Sequence, residues 1–418
     1  MDPHRLYEVR CPVHGFIPFN DWEREIIAQP AFQRLRRIRQ LAWTEMVYPG
    51  AVHTRFEHSL GVMHTATLLY DSILRNSKEV LSQELGYDDA GFQRGRQLIR
   101  LASLLHDVGH APFSHASEDL FPEKEPGQSR FVHEDYSAAI VRGPLRDVIE
   151  NHKLNQANYN FSANDIAALL EGSAAARQGI FWRDLITGQM DADRMDYLLR
   201  DSHHAGVHYG RFDLHRVIGT VTAIPGVQGR PAKLGIQEGG WHGAEALVMA
   251  RYLMFTQVYF HKTRVAYDIH LRHAMKEILP GGQFPKPEGN DLVDFLNWDD
   301  WRTLGMLADG KGGEHGDRLR TRNHYRKIYH TAEVQTEADP PRLESVRAAL
   351  GTRIVAEESA AKSWYKTGET DIPVLGRDRI APLSEHSTVI KGMKSNNQVL
   401  VYCSKEDMEE CLKLIKAI

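Results

Sequence analysis

The segment RQLIRLASLLHDVGHAPFSHASED, residues 96–119, decides the fold of this chain. Apolar residues fill six of the eight positions from 98 to 105, so this part is expected to form a deeply buried helix. The pair His106-Asp107 follows directly. An ionisable pair is costly in apolar surroundings unless it is compensated, and a bound cation compensates it. The segment therefore predicts a helical core that holds a metal.

The fold class predicted from the whole chain is mainly α. Apolar residues recur at spacings of three and four from about residue 20 to residue 275, as amphipathic helices require. The stretch 242–279 reads as one long helix, and Ser162 and Asn164 are candidate N-caps of another. Alternation typical of strands occurs in this part only near 217–237, where a small hairpin is expected.

The pattern changes after about residue 280, where Gly- and Pro-rich loops begin. Four segments read as short strands: RIVAEESA (353–360), IPVLG (372–376), STVIKGM (387–393) and QVLVYCS (398–404). Residues 407–418 read as a closing amphipathic helix. We therefore predict a helical core over residues 1–335 and a small α+β region over residues 336–418.

Composition excludes several classes of protein. The net charge of −4 gives no basic field for nonspecific nucleic-acid binding, and the basic run FQRLRRIRQL (32–41) is read as a solvated helix face or an oligomer contact. The three cysteines form no CxxC motif and no disulfide framework. No apolar run is long enough to span a membrane, and the first residues lack an apolar signal core. A cytoplasmic enzyme is expected.

Four residues in three separate segments form a candidate metal-ligand set. His58 lies in RFEHSLGV (55–62), His106-Asp107 closes the buried helix, and Asp193 lies in DADRMDYLLRDS (191–202). Taken singly, each is more often a structural histidine or a solvated carboxylate. Together they offer two imidazoles and two carboxylates, which suits Fe, Mn, Zn or Ni better than Ca. Positions left open on such a metal can take water and a phosphate oxygen.

A second group of imidazoles and a carboxylate follows the His-Asp pair. His110 lies four residues after His106, and Pro112 predicts a helix end nearby. His115 and Glu118 are three residues apart, and His133 adds another imidazole. Cleavage of a phosphate ester needs an acid that works near neutral pH, and histidine supplies one.

At this point the sequence resembles a known family, the HD-domain deoxynucleoside triphosphate triphosphohydrolases, in the branch of the sterile-alpha-motif/HD-domain enzymes and their bacterial relatives. The similarity runs from about residue 11 to residue 270 and is specific because separated blocks agree in order. These blocks are CPVHGFIPF (11–19), FQRLRRIRQLAWTEMVYPGAVHTRFEHS (32–59), LLHDVGHAPFSH (104–115), VHED (132–135), DADRMDYLLRDS (191–202) and QVYFHKTRVA (257–266).

The resemblance implies the fold, the reaction and the roles of residues. The implied fold is an HD-domain helical core, and the implied reaction is hydrolysis of a deoxynucleoside triphosphate to a deoxynucleoside and tripolyphosphate. It implies His58, His106, Asp107 and Asp193 as metal ligands and His110, His115, Glu118 and His133 as the catalytic cluster, with His115 or His133 protonating the 5′ oxygen. It also implies a set of substrate-binding residues: Gln40, Leu41, Arg55, Arg194, Tyr197, Asp201, Arg251, Tyr259 and Lys262.

The implied preference for deoxyribose has a physical basis. In the family a tyrosine and a leucine crowd the 2′ carbon, and Tyr259 and Leu41 resemble that pair. Gln40 matches a residue that contacts the 3′ hydroxyl. We therefore expect hydrolysis of deoxyribonucleotides rather than ribonucleotides.

The sequence departs from the family pattern at three positions. Glu118 stands where the best-known member has aspartate, and Arg194 where lysine is frequent. Cys11 replaces an aspartate that helps to form an activator nucleotide site in the regulated members. Cysteine offers no carboxylate, so activation by a guanine nucleotide is in doubt.

Several alternatives remain open at the level of sequence. The same metal chemistry serves an HD-type phosphodiesterase or phosphatase on another nucleotide, and a non-catalytic nucleotide-binding module is a third reading. The expected cofactor is a divalent metal ion, whether Mn, Fe, Mg, Zn, Ni or Co. The expected partners are a nucleotide substrate and further copies of the chain in a dimer or tetramer, as in the family, with no membrane and no nucleic acid.

Overall fold

The computed structural model describes residues 6–173, 181–226, 231–360 and 371–418 of the chain. It consists mainly of helices, as predicted. The helices of its first half are α1 Asp21–Ile27, α2 Pro30–Gln33, α3 Arg55–Leu85, α4 Asp89–Leu105, α5 His133–Arg142, α6 Arg146–Glu150, α7 Lys153–Asn158, α8 Ala163–Glu171, α9 Asp184–Thr187 and α10 Ala192–Ala205. Those of its second half are α11 Leu214–Thr220, α12 Trp241–Met254, α13 Lys262–Ile278, α14 Gly289–Leu296, α15 Asp300–Ala308, α16 Gly313–Arg320, α17 Asp339–Leu350, α18 Leu383–His386, α19 Thr388–Gly392 and α20 Met408–Lys416.

The strands form three small sheets. They are β1 Tyr7–Cys11, β2 Gly15–Phe19, β3 Val221–Ile224, β4 Lys233–Gln237, β5 Arg326–His330, β6 Ala356–Ser359, β7 Pro373–Leu375, β8 Ile380–Pro382 and β9 Val399–Cys403. Strands β1 and β2 form an antiparallel hairpin. The second sheet has the order β3-β4-β7-β8, and the third has the order β5-β9-β6.

Helices α3, α4 and α10 form the centre of the protein and carry the site. Helix α3 begins with a capping box in which Glu57 receives the backbone N–H of Thr54, and this fixes the first turn from which His58 projects. Helices α3 and α10 approach closely at Gly61, where an added Cβ would lie 1.9 Å from Asp196 Oδ1. Only glycine allows this approach.

Helix α4 ends earlier than Pro112 suggested. It stops at Leu105, the chain turns over residues 106–109, and a 3₁₀ helix covers Ser114–Leu120. Phe113 and Ser114 both have positive φ, at 58° and 56°. His106 and His110 therefore do not share a face of one helix. The turn over residues 106–109 lies between them and brings both side chains to the same site.

The long helix predicted over 242–279 is wrong. Helix α12 stops at Met254, a π-helical turn follows over Phe255–Tyr259, and α13 starts at Lys262 behind the extended cap residue His261. Apolar periodicity continues through this break, which is why it could not be seen from the sequence. The hairpin expected near 217–237 is confirmed as the antiparallel pair β3 and β4, and Ser162 is the N-cap of α8.

The C-terminal residues contribute to two places. Strands β5, β9 and β6 pack with α17 and α20 around a small separate core that includes Val346, Val401 and Cys411. Strands β7 and β8 instead extend the hairpin of the helical core, because β7 pairs in parallel with β4. The strand predicted at 387–393 is wrong: it holds helix α19, which Ser387 caps. The mainly α fold with an α+β C-terminal region is confirmed, while the division at 335/336 stays a prediction.

Within the described residues, no helix combines the length and the hydrophobicity needed to cross a membrane.

Candidate metal centre and substrate cavity

His58 occupies the centre of the candidate metal site. Its side chain is fully buried, and Nε2 lies 3.0 Å from Asp193 Oδ1 and 3.5 Å from Asp107 Oδ2. The opposite nitrogen, Nδ1, is 2.7 Å from Asp196 Oδ2. A hydrogen bond from Nδ1–H to that carboxylate fixes the tautomer and leaves Nε2 free to face the cluster.

His106 faces the same point from the end of α4. Its Nδ1 lies 2.8 Å from the carbonyl oxygen of Ser103, so Nδ1 donates there and Nε2 carries the lone pair. Nε2 lies 3.2 Å from Asp107 Oδ1 and 3.7 Å from Asp193 Oδ1. Within the described part of the chain this buried nitrogen has no hydrogen-bond partner. A buried acceptor without a partner is what a metal ligand offers.

The electrostatics of the cluster favour a cation. Burial lowers the pKa of His58, but hydrogen bonds to Asp193 and Asp196 outweigh it and raise that pKa to about 10. Burial raises the pKa of Asp107, whereas Arg55 and the neighbouring imidazoles hold it well below its usual range. A site that holds extra positive charge on an imidazole is one where a metal ion can replace the proton.

The four side chains predicted as ligands thus converge, with two imidazole nitrogens and two carboxylates. This donor set fits a divalent metal, as the sequence predicted, and leaves Mn, Fe, Mg, Zn, Ni and Co as candidates. Arg55 closes one side: its Nη1 lies 2.5 Å from Asp107 Oδ2, and its Nε donates to Ser114 Oγ at 2.8 Å.

The second predicted group, called the second cluster from here on, also comes together and consists of His110, His115, Glu118 and His133. Glu118 accepts from both half-exposed His115 and more buried His133, with Nδ1 distances of 2.9 Å to Oε2 and 2.6 Å to Oε1. The ring of His110 stacks on His133 with centroids 3.9 Å apart, and its Nε2 lies 3.1 Å from Asp107 Oδ1. Asp107 therefore stands between the two clusters.

Tight backbone packing at Gly109 places His133. Helix α5 begins at His133, and a Cβ on Gly109 would lie 2.4 Å from the His133 carbonyl oxygen and 2.3 Å from the Ser137 nitrogen. Ser137 Oγ accepts from the Gly109 N–H at 2.9 Å and donates to the His106 carbonyl at 2.6 Å. The turn after α4 and the start of α5 are therefore locked together.

Charge in the second cluster is divided between its members. Burial raises the pKa of Glu118, but His115 and His133 together bring it well below its usual range. Burial lowers the pKa of His133, and Glu118 reverses this and raises it above the ordinary value. For His110 burial is the largest cause, and Arg55 and His133 add to it, so its pKa falls well below the ordinary value. The cluster therefore combines an ionised carboxylate, a basic imidazole and a neutral one.

Both clusters open into one cavity of about 560 Å³. Tyr259 donates to Asp201 Oδ2 at 2.6 Å, and His53 Nε2 lies 2.8 Å from the other oxygen of Asp201. These bonds hold the tyrosine ring in place. The predicted site residues in the cavity wall are Gln40, Leu41, Arg55, His106, Asp107, His110, His115, His133, Asp193, Arg194, Tyr197, Asp201 and Tyr259. His58 and Glu118 lie behind this wall, in contact with residues that form it.

Two predicted phosphate-binding cations are not part of this wall. Arg251 donates to Gln189 Oε1 at 3.0 Å, and Lys262 is exposed at the start of α13. The break between α12 and α13 separates the two residues from the single helix stripe on which the sequence placed them. Arg194 does line the cavity, where it pairs with Asp191 and with the carbonyl oxygen of Gly188.

Sequence reasoning missed a carboxylate that supports the metal centre. Asp196 is fully buried and receives His58 Nδ1, His14 Nε2 at 2.6 Å and two bonds from Arg200 at 2.8 and 2.9 Å. Burial raises its pKa, but Arg200 and the histidines bring it well below the usual range. The signal was its three-residue spacing from Asp193, which puts both carboxylates on one face of α10.

Cys11 joins this same network. Its buried thiol lies 3.4 Å from Arg200 Nη2, beside the carboxylate that orients His58. The cysteine thus occupies the end of a chain of contacts that leads to the metal centre.

Sequence reasoning also missed the far wall of the cavity. Arg264, Asp268 and Arg272 on α13 line it together with Glu358 and its two following residues. Arg272 pairs with Glu358, and so β6 of the C-terminal region is tied to α13 beside the substrate cavity. No local motif marks these residues, because the wall exists only after two distant segments have packed together.

The basic run at 32–41 is used inside the protein. Arg34 is almost completely buried and donates to the carbonyl oxygens of Trp298 and His110 at 2.8 and 2.9 Å. Arg37 contacts Asp299 Oδ2 at 2.5 Å. These contacts hold the turn that carries His110, and they give the arginines a structural role.

Comparison with known proteins finds two matching family models, the HD domain over residues 55–201 and the HD associated region over residues 212–417. Similar proteins include uncharacterized protein YwfO of Bacillus subtilis (strain 168), 36% identical over 60% of this chain and 51% of that protein. Uncharacterized protein MJ1154 of Methanocaldococcus jannaschii is 33% identical over 77% of this chain and 59% of that protein.

A deoxynucleoside triphosphate triphosphohydrolase SAMHD1 homolog of Dictyostelium discoideum is 34% identical over 46% of this chain and 35% of that protein. The chain spans about half the length of the first two relatives. Among solved structures, a hypothetical protein from Aquifex aeolicus is similar with a TM-score of 0.80 and 27% identity, over 98% of this chain and all of that one. The chain therefore carries an HD domain followed by an HD associated region, and it resembles the HD-domain deoxynucleoside triphosphate triphosphohydrolases.

Proposed function

We propose that this protein is a metal-dependent phosphohydrolase that cleaves deoxynucleoside triphosphates into a deoxynucleoside and tripolyphosphate. One observation carries the proposal. A metal-ligand cluster, an imidazole-carboxylate cluster and a tyrosine fixed by a carboxylate all face a single cavity of about 560 Å³. That arrangement supplies, side by side, what phosphate cleavage and sugar recognition require. The similarity to SAMHD1 proteins supports the same substrate class.

In this proposal His58, His106, Asp107 and Asp193 hold the metal. A divalent metal held by these residues would supply Lewis-acid activation of a phosphate oxygen and of the attacking water. Arg55 and Arg194 line the cavity and bind the negatively charged oxygens of the triphosphate. Arg194 has to exchange one of its internal contacts, to Asp191 or to Gly188, for a phosphate oxygen.

The second cluster protonates the leaving group. Bond cleavage between the α-phosphorus and O5′ leaves an alkoxide that needs a proton, and His115 or His133 supplies it. Glu118 holds both imidazoles in place and favours the protonated form of His133, because it raises the pKa of that imidazole above its ordinary value. Because the deoxynucleoside leaves with the donated proton, the imidazole recovers one from water in the next cycle.

Sugar selection falls to Tyr259, Leu41, Gln40 and Tyr197 in the cavity wall. Tyr259 is held by its bond to Asp201, and Leu41 lies in the same cavity wall. A rigid ring at the 2′ carbon leaves no room for a hydroxyl group. Gln40 and Tyr197 complete this part of the wall.

The test is a screen of the four deoxynucleoside triphosphates, each with Mn, Mg, Fe and Co, together with the paired substrates dGTP and GTP. Separation of nucleoside from phosphate products by chromatography gives the readout. We expect deoxynucleoside plus tripolyphosphate, and hydrolysis of dGTP in strong preference to GTP. Equal rates for dGTP and GTP would contradict the steric role of Tyr259.

A phosphodiesterase or phosphatase acting on another nucleotide is the second candidate, because the metal site by itself specifies only phosphate hydrolysis. Orthophosphate or a nucleoside monophosphate as product would favour it. A binding module without turnover would show equal inactivity of the wild type and of His115→Ala with metal bound. The second cluster argues against that reading, since binding alone does not call for it.

A further inference from the structure

We propose that His110, His115, Glu118 and His133 form a second metal site, which binds zinc and thereby removes the imidazoles from proton transfer. The binding part of this proposal stands on the geometry alone. Its consequence for activity rests on the proposed function.

The donor atoms of the second cluster already surround one point. One nitrogen from each imidazole and one oxygen of Glu118 all lie within 4.8 Å of one another. In a tetrahedral zinc site with bonds of about 2.0–2.1 Å, donors are separated by roughly 3.4 Å. Closing the site requires one ring of the stacked pair His110 and His133 to turn so that its nitrogen points to the shared centre, and half-exposed His115 to rotate toward the same centre.

His110 gives an independent indication of a ligand. It is fully buried; its Nε2 faces Asp107 Oδ1, whereas its Nδ1 has no hydrogen-bond partner among the described residues. Its Nδ1 lies 4.0 Å from Glu118 Oε1, too far for a hydrogen bond. Burying an imidazole without a partner costs free energy, and a metal ion on that nitrogen would recover it.

The donor set determines which metal is expected. Three imidazoles and one carboxylate are nitrogen-rich and borderline-soft, which favours zinc over magnesium or calcium. The first site, with two carboxylates among its four donors, is less selective for zinc than this nitrogen-rich set. Asp107 lies 3.1 Å from His110 Nε2, so its carboxylate stands between the first metal site and the second cluster. Two metals can therefore sit next to each other in this cavity.

Zinc and the proton compete for the same nitrogens. A metal bound to His115 and His133 occupies the lone pairs that would otherwise carry the proton for the leaving group. The first equivalent of metal should then support hydrolysis, and the second should suppress it. The cavity would in this way respond to the supply of zinc.

The experiment uses the full chain without a histidine tag, stripped of metal. Equilibrium dialysis against buffered zinc, followed by elemental analysis, gives the number of ions per chain. We expect two steps for the wild type. In His115→Ala the second step should move to a more than tenfold higher zinc concentration, so that only the first step remains in the range where the wild type binds two ions. Cobalt titration gives a second readout: the intense visible bands of a tetrahedral N₃O site should accompany the second step and be absent in His115→Ala.

The control variant is His273→Ala. His273 stacks on His315 at 4.3 Å between ring centroids, and His315 Nδ1 contacts His270 at 2.9 Å, so these three histidines are the obvious competing site. The control should retain both steps. A single step in the wild type, or loss of the second step in His273→Ala, would overturn the proposal.

The activity arm is read separately. With a deoxynucleoside triphosphate as substrate, the rate should fall more than tenfold over the same zinc concentrations as the second binding step. If two ions bind but no deoxynucleoside triphosphate is hydrolysed at any metal ratio, the proposed function fails and the second site stands. If hydrolysis occurs and the second zinc-binding step is missing, the second metal site is refuted and the proposed function stands.

Discussion

The orientation of His58 depends on a carboxylate that is out of reach of any substrate. Asp196 holds the Nδ1–H of His58, and Arg200 in turn holds Asp196 with two hydrogen bonds. Supporting partners of this kind typically contribute about 10- to 100-fold in metal affinity. The quality of the metal site is therefore set partly by residues that never meet the metal.

Asp196→Asn should weaken metal binding by about 10- to 100-fold, because the amide can present its N–H₂ to His58 and favour the wrong tautomer. Competition with a chelator of known affinity measures the change. Asp71→Asn is a matched control, since that carboxylate pairs only with Arg96 on the surface of α3 and α4. Unchanged affinity in Asp196→Asn would show that His58 is oriented by other means.

The proton on His133 gives the reaction a pH dependence with a definite sign. Burial lowers the pKa of this imidazole, and the ionised Glu118 raises it above the ordinary value. The acid form is thus present below that raised pKa and is lost as pH increases through it. With one equivalent of metal, kcat should accordingly fall on the alkaline side.

Glu118→Gln removes the charge that raises the pKa of His133. The alkaline limb of the pH–kcat profile should therefore move to lower pH, and kcat at neutral pH should decrease. The neighbouring variant Asp119→Asn, at an exposed carboxylate four ångströms from Arg272, should leave the limb in place. An unshifted limb in Glu118→Gln would exclude His133 as the titrating acid.

At the scale of single residues, the sequence identified the metal-ligand candidates because each sits in a distinctive block. Asp196 escaped notice because its one signal, the three-residue spacing from Asp193, is common on helices and does not by itself mark a supporting carboxylate. Arg251 and Lys262 do not share the single helix stripe that the sequence predicted, because the helix breaks between them. Their role in binding phosphate stays a prediction.

Turns and helix starts, rather than the helices themselves, bring the two clusters together. Helix α4 ends at Leu105, and the turn that follows packs directly on the start of α5. Gly109 makes this possible, since the backbone of α5 leaves no room for a side chain. The π-helical turn over Phe255–Tyr259 likewise brings Tyr259 into the wall of the cavity.

Gly109→Ala should destabilise the protein by about 1–3 kcal/mol, because its Cβ would meet backbone atoms of α5 at 2.3 and 2.4 Å. Urea denaturation measures the change in the free energy of unfolding. Gly305→Ala is the control: this exposed position in α15 has nothing within 4 Å of an added Cβ, and alanine there should stabilise the helix by about 0.5–1 kcal/mol. Equal effects of the two substitutions would refute the packing role of Gly109.

Element types were predictable wherever hydrophobic period and length agreed, as in α3, α4 and α10. Two predictions, the long helix over 242–279 and the strand over 387–393, were wrong because the hydrophobic pattern there does not mark the true element. The break before α13 keeps an apolar period, so nothing in the pattern marks it. Residues 387–393 are β-branched and apolar like a strand, but Ser387 caps a helix there through its side chain.

Across the whole molecule, the C-terminal region closes the substrate cavity. Residues 358–360 form part of its wall, and Glu358 pairs with Arg272 on α13. Sequence could not predict this contact, because it joins segments about ninety residues apart that carry no shared motif. The C-terminal region therefore has two structural roles: it forms its own small core, and it supplies part of the cavity wall.

Glu358→Ala should raise KM several-fold and leave kcat nearly unchanged, since the residue lines the cavity wall without belonging to either cluster. Steady-state kinetics with a deoxynucleoside triphosphate separates the two constants. Glu344→Ala serves as the control, because this exposed glutamate of α17 pairs only with Arg347 in the C-terminal core. A large loss of kcat in Glu358→Ala would mean that the wall takes part in chemistry.

Hydrolysis in ¹⁸O-labelled water tests the central claim most directly. Attack of water at the α-phosphorus with departure of O5′ places one ¹⁸O atom in the tripolyphosphate and none in the deoxynucleoside. Mass spectrometry of the separated products, with the wild type and one equivalent of metal, reads the label. We predict labelled tripolyphosphate and unlabelled deoxynucleoside. Label in orthophosphate, with a deoxynucleoside diphosphate as the other product, would contradict the account.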